Sequence, residues 1–181
     1  MRPFYRASQF FAELRHRNPV EQAEWMLHLN DAQATLLESL PSSEQRHAVT
    51  VLCMLQQNGH REAALMQAAL LHDAGKVLPA VRQGSHGAQL RVWHRVAVVL
   101  MRALYPALLR RVAQDRPGSW RYPFYVLLHH AALGAGLAIE AGSDPLAAEL
   151  IYWHHTAPDV SLLEARGREM LSALQAADDK V

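Results

Sequence analysis

Only one cysteine stands in 181 residues. An internal disulfide framework is therefore excluded, and Cys53 has no second thiol with which to form a redox pair. It reads as a small buried apolar residue. Net charge is nearly absent as well: 18 basic against 17 acidic side chains leave +1. That balance gives no broad electrostatic attraction to nucleic acid, and no nucleic-acid partner is expected. Long apolar runs are missing too. The longest apolar region, 92–109, is interrupted by His94, Arg95 and Arg102, so no transmembrane segment is expected there. It reads as a core helix with a solvated stripe rather than as a basic amphipathic helix on a membrane surface. The first twenty residues mix Phe4, Phe10 and Phe11 with Arg2, Arg6, Arg15 and Arg17, without the apolar core and cleavage site of a signal peptide. A cytoplasmic location is the expectation that follows. Alternating strand patterns are also lacking.

What is present reads as helix. Half of the residues are hydrophobic and 19% are charged, the balance of a folded chain, and the length suits one compact domain. Spacing predicts helices over 6–17 and 20–28, then a short one capped by Asn30 and closed by Pro41. Ser42 with Gln45 predicts a capping box for a helix reaching Asn58 and stopped by Gly59. A central helix over 61–72 follows, its Ala63, Ala64, Ala68 and Ala69 small enough for close neighbours. Gly75 is expected to end it in the left-handed conformation.

A loop is predicted over 77–87, a helix over 90–105, and another beginning at Pro106 and broken at 116–119. Arg110, Arg111, Arg116 and Arg121 make that stretch locally basic, and it reads as solvated surface. The helix predicted over 124–141 carries His129 and His130, and its Gly134 and Gly136 suggest tight backbone packing. Gly142 closes it, and Asp144-Pro145 opens the next as cap and first-turn proline. That helix ends in Tyr152-Trp153-His154-His155. Ser161 with Glu164 predicts a second capping box, for a helix running to Asp178. The fold class is all-α.

Histidine is the excess, with 11 dispersed copies, and imidazole is the commonest metal ligand. The stretch Ala69-Leu70-Leu71-His72-Asp73-Ala74-Gly75-Lys76 leads an apolar helix directly into a His-Asp pair. That makes sense if both side chains bind a metal in a dry pocket, because a buried carboxylate without a partner is costly. A single histidine such as His47 on an inward helix face reads as a core residue. The ordered set carries more: His47, His72-Asp73, His130, His154-His155 and Asp178, mostly near helix ends or on inward faces. Helical bundles build metal sites from such side chains on facing helices. The set exceeds the needs of one tetrahedral zinc and suits two ions with one carboxylate between them.

The order His47, His72-Asp73, Asp178 resembles the HD superfamily of metal-dependent phosphohydrolases, over residues 42–178. His72-Asp73-Ala74-Gly75-Lys76 is similar to the His-Asp-x-Gly-Lys variant of its motif. His130 with Gly134, and then His154-His155, resemble the added histidines of dinuclear members, including the HD-GYP group. The resemblance implies an HD-type helical bundle over 42–181, with 1–41 as a helical extension packed on it. It implies one ion held by His47, His72, Asp73 and Asp178, and a second held by His130, His154 and His155, Asp73 bridging. His130 is preferred to His129 by its spacing to Gly134, and Asp178 to Asp179 by the same alignment.

The chain departs from the HD-GYP group in three places. Thr156-Ala157-Pro158 follows the histidine pair where a Gly-Tyr-Pro motif would come. Thr156 replaces a glutamate, and Ser43 stands where trinuclear members have one. The resemblance therefore stops short of that group's cyclic-di-GMP chemistry. What it implies is hydrolysis of a nucleotide or related phosphate ester by a metal-activated water. Asp73 would orient the nucleophile and Lys76 would neutralise a phosphate oxygen. The cofactors implied are divalent ions, two of them, from among Mn, Fe, Zn, Ni and Co, and the partner a small phosphorylated substrate. The alternatives are a di-iron oxygenase of the same superfamily, a nucleotide-binding regulatory module without turnover, and histidines with only a structural role.

Overall fold

The computed structural model describes residues 25–77 and 92–181; the helices expected over 6–17 and 20–24 and the loop over 78–87 lie outside the described residues. Among the described residues there are eight α-helices and no strand, an all-α fold. They are α1 (Asp31–Glu38), α2 (Ser42–Gln57), α3 (Ala63–Leu71), α4 (Val92–Leu104), α5 (Pro106–Val112), α6 (Tyr122–Glu140), α7 (Pro145–Trp153) and α8 (Ala165–Asp178). A short 3-10 turn, Ala74–Val77, continues from α3.

Several ends follow from local chemistry. Asn30 caps α1 by accepting from the Gln33 amide, and the Gln33 side chain returns a bond to the Asn30 amide. Asp144 accepts from the Leu146 amide and Pro145 opens α7. Gly59 and Gly142 take the left-handed φ values of 90° and 77° that end α2 and α6. Two expected capping boxes do not form. Pro41 precedes α2 without a side-chain cap, and Gln45 instead donates to the carbonyls of Glu38 and Leu40 at the end of α1. Likewise α8 starts after Glu164 with no side-chain cap, and the Ser161 hydroxyl donates to the Pro158 carbonyl.

The core is built around α3. Its Leu65, Leu70 and Leu71 are wholly buried, together with Val51 and Leu55 of α2, Leu150 and Ile151 of α7, and Leu171 and Leu174 of α8. Each such side chain contributes about 2 kcal/mol on burial. Trp25, Leu37 and Leu40 join the same cluster. The alanines of α3 let α2 and α7 pack against it, which brings the C-terminal ends of α3 and α7 side by side.

Gly75 does not take the left-handed conformation expected of it. Its need for glycine comes from packing: a Cβ there would overlap the carbonyl oxygen of His130. A Cβ on Gly134 would in turn lie 3.0 Å from the Gly75 amide nitrogen, so α6 crosses the 3-10 turn backbone to backbone. Gly136 makes no such approach, with nothing within 4 Å of an added Cβ. Among the described residues α6 is the one helix long and apolar enough to cross a membrane; in the bundle it packs on α7 and the turn, with His130 buried. On α4 the outward stripe is apolar instead of solvated and polar, with Val96, Val99, Leu100 and Leu104 exposed.

Candidate metal centre

Seven side chains converge where the ends of α3, α7 and α8 meet α2 and α6. His72 and His154 are the residues immediately after α3 and α7. Asp178 is the last residue of α8, His47 comes from the first turns of α2, and His130 from the middle of α6. They fall into two groups that could each hold a metal ion, His47 with His72 and Asp178, and His130 with His154 and His155. Within each group the ligand atoms lie within 4.8 Å of one another.

Asp73 sits between the groups. One carboxylate oxygen is 3.6 Å from Nε2 of His72 and the other 3.6 Å from Nε2 of His130. The His154 ring spans the same gap, its centroid 5.4 Å from that of His72 and 5.3 Å from that of His130. All seven positions singled out as metal ligands in the sequence are thus brought together. His129 is exposed and packs at a tilt against Tyr125 instead, and Asp179 is exposed beyond the end of α8.

Three of the imidazoles are held in one manner. Nδ1 of His72 donates to the Ala69 carbonyl at 3.0 Å, Nδ1 of His130 to Leu127 at 2.9 Å, and Nδ1 of His154 to Ile151 at 2.6 Å. Each acceptor is three residues back along the same helix. A carbonyl only accepts, so each Nδ1 carries a proton. In His130 and His154, which burial keeps neutral, Nε2 is left as a bare lone pair aimed inward. Nε2 of His72 instead faces the carboxylates of Asp73 and Asp178 at 3.6 and 3.5 Å. One of these nitrogens has no partner in the protein, and two others meet another imidazole nitrogen. Nε2 of His154 is buried with no hydrogen-bond partner at all. Nε2 of His130 faces Nε2 of His155 at 2.9 Å, and Nε2 of His47 faces that of His72 at 3.2 Å. Opposed imidazole nitrogens, a buried orphan acceptor and two carboxylates fit divalent cations bound among them.

The electrostatics divide the same way. Burial pushes His130 down to about 4, and burial reinforced by the neighbouring imidazoles holds His154 well below the usual histidine range. Burial also lowers His155. For His72 burial acts in that direction too, but the carboxylates of Asp73 and Asp178 outweigh it and the net shift is upward. Burial opposes ionisation of Asp73, yet His72, Lys76 and His130 hold its carboxyl well below the ordinary value. Asp178 is likewise depressed against its burial, by hydrogen bonds from His47 and His72. His130, His154 and His155 are therefore favoured as neutral imidazoles and Asp73 and Asp178 as ionised carboxylates, the forms that bind metal. The two carboxylates favour the protonated form of His72.

Two residues around the cluster were not anticipated. Lys76, expected as a lone charge, is anchored: its ammonium pairs with Asp73 at 2.5 Å and with Glu44 at 3.3 Å. Glu44 is buried one turn before His47 on α2, and that three-residue spacing was the available signal. Gln175, one turn before Asp178, donates to the carbonyls of His154 and Thr156 at 3.0 and 2.7 Å. It ties the end of α7 to α8 and so fixes one group against the other. Nothing in local sequence distinguishes it from a surface glutamine. No protein-family model, curated protein or solved structure matches this chain.

Proposed function

We propose that this protein is a metal-dependent phosphohydrolase acting on a phosphate ester or anhydride, with nucleotides as the first class to test. The observation that carries the reading is Asp73, one oxygen toward each group of ligands and its second link, through Lys76, to a buried glutamate. Divalent cations bound there would supply Lewis acidity, polarising a phosphoryl group and lowering the pKa of a water.

The chain's own contributions are separate from that. His130 and His154 present fixed Nε2 lone pairs at little cost in reorganisation, because the backbone already holds their Nδ1 protons, and the same kind of bond aims the His72 ring. Asp73 stays ionised at neutral pH and so can accept a hydrogen bond that orients a nucleophile. Lys76, held by Glu44, keeps a positive charge beside Asp73 where a phosphoryl oxygen can share it. Burial of the cluster strengthens each of these interactions relative to water.

Elemental analysis of the purified protein, followed by a phosphoester screen with the detected metal restored, tests the reading. The expected result is about two divalent ions per chain and hydrolysis that a chelator abolishes. Asp73→Ala should lose both ions and lower turnover by on the order of a thousandfold or more. Full metal content and activity in that variant would overturn the assignment. A coloured, redox-active preparation inert toward phosphoesters would shift it to the di-iron oxygenase alternative.

A further inference from the structure

Among the described residues, a long exposed apolar stripe runs along α4, which carries none of the candidate metal ligands. On α4, Trp93, Val96, Val99, Leu100 and Leu104 are each more than half exposed, between 52% and 67%. Positions 93, 96, 100 and 104 follow the spacing of a single helix face. His94 lies beneath the stripe, buried at 4% exposure between the Trp93 ring, on which it stacks, and Phe124. The stripe continues past α4 through exposed Tyr105, through Leu108 of α5, and to Trp120 in the turn before α6.

Charge is concentrated at the same place. Of the 18 basic and 17 acidic residues in the chain, six arginines but a single aspartate lie between 92 and 121. The rest of the molecule is thus net acidic. Arg102, Arg110, Arg111 and Arg116 are exposed, and Arg111 follows Leu108 by one turn of α5.

We propose that the outward face of α4 and α5 docks on an anionic lipid surface. Apolar side chains with Trp and Tyr among them, bordered by arginines, match the acyl boundary and the phosphate layer of such a surface. The charge asymmetry selects this occupant over a second copy of the chain, because an isologous contact would set the same arginines against one another. The acidic remainder points the molecule, turning this face toward the lipid and the other side away. The inference is independent of the metal-centre reading.

Sedimentation of the full chain with vesicles tests it, comparing phosphatidylcholine alone with phosphatidylcholine carrying phosphatidylserine. Binding should require the anionic lipid and weaken as salt is raised. Arg110→Gln with Arg111→Gln should reduce partition about thirtyfold. Val96→Glu with Leu100→Glu should reduce it on the order of a hundredfold. Those positions are already in water, so the variants should keep the helical circular dichroism and metal content of the parent. Failure to bind anionic vesicles, or binding that neither pair of substitutions weakens, overturns the proposal. So does a solution dimer that Leu100→Glu dissolves while vesicles are ignored, which assigns the face to a second copy.

Discussion

The two groups of candidate metal ligands are built to different plans. His130, His154 and His155 form an all-nitrogen half in which burial lowers every imidazole, His130 to about 4. His47, His72 and Asp178 form a mixed half in which carboxylates dominate and draw His72 upward. Without metal the mixed half is internally satisfied, Asp178 taking 2.8 Å and 3.5 Å contacts from His47 and His72. The nitrogen half is not, because its internal contact between Nε2 of His155 and Nε2 of His130 leaves His154 Nε2 buried without a partner. A cation relieves strain of this kind in the nitrogen half, while in the mixed half it displaces protons from groups that already have partners. The nitrogen half should therefore discriminate for borderline-soft divalent ions, and the mixed half should be the more easily stripped.

The largest effect expected from breaking this comparison is on metal content. His154→Ala removes the best-held nitrogen of one half and should bring the count from about two ions to about one, with turnover down on the order of a hundredfold. His47→Ala attacks the half-buried edge of the other half and should leave a tightly held ion behind. Competition with a chelator, followed by elemental analysis of each variant, reads the difference. If both variants lose their ions together, the halves act as one cooperative site and the distinction drawn here is wrong.

Next is acid stability of the metal-free protein. His130 titrates near 6.5 when unfolded and about 4 when folded, so between those values the unfolded chain binds the additional proton. Stability must then rise with pH across this window, and His130 alone costs about 3 kcal/mol by its lower end. His154 and His155 act in the same direction. His72 has the opposite sign, its raised value giving stability that is lost as pH rises above the ordinary histidine range. The carboxylates contribute only below the window, since both are depressed beneath 3.8. Denaturant melts of chelated protein at pH 7 and pH 5 should therefore differ by several kcal/mol, and His130→Phe should flatten the slope. Melts that coincide at the two pH values would show that the nitrogen half opens to water.

What was legible in the sequence divides along a physical line. The candidate ligands His47, His72, Asp73, His130, His154, His155 and Asp178 were picked out by the excess of histidine and by the resemblance to the HD pattern, which alone favoured His130 over His129 and Asp178 over Asp179. The caps at Asn30 and Asp144 were legible because their partners lie two or three residues away. The boxes expected at Ser42 and Ser161 failed because competing carbonyls took the side chains: Gln45 donates to Glu38 and Leu40, and the Ser161 hydroxyl to Pro158. Glu44 and Gln175 gain their meaning only when α2 reaches the 3-10 turn and α8 reaches the end of α7. The stripe on α4 showed its apolar character in sequence but not its direction, because periodicity gives a face without saying what covers it.

The smallest effect, and the one that isolates geometry from chemistry, concerns two glycines of equal intrinsic cost. Gly75→Ala puts a methyl group into the carbonyl oxygen of His130, which is backbone and cannot rotate aside. Either α6 moves off the turn or the turn distorts, at about 2 kcal/mol. Both responses shift Nε2 of His130 relative to Asp73, now 3.6 Å away. Gly136→Ala lies on the same helix with open space around the added carbon, and by helix propensity alone it should stabilise by up to about 1 kcal/mol. The pair thus applies one chemical change with opposite expected signs, and neither residue is itself a ligand. Thermal melts should move in opposite directions, and only Gly75→Ala should weaken metal retention, in the nitrogen half first. Equal behaviour of the two variants would mean that the crossing of α6 over the turn does not set where His130 stands, and the rigid separation of the halves would lose its structural basis.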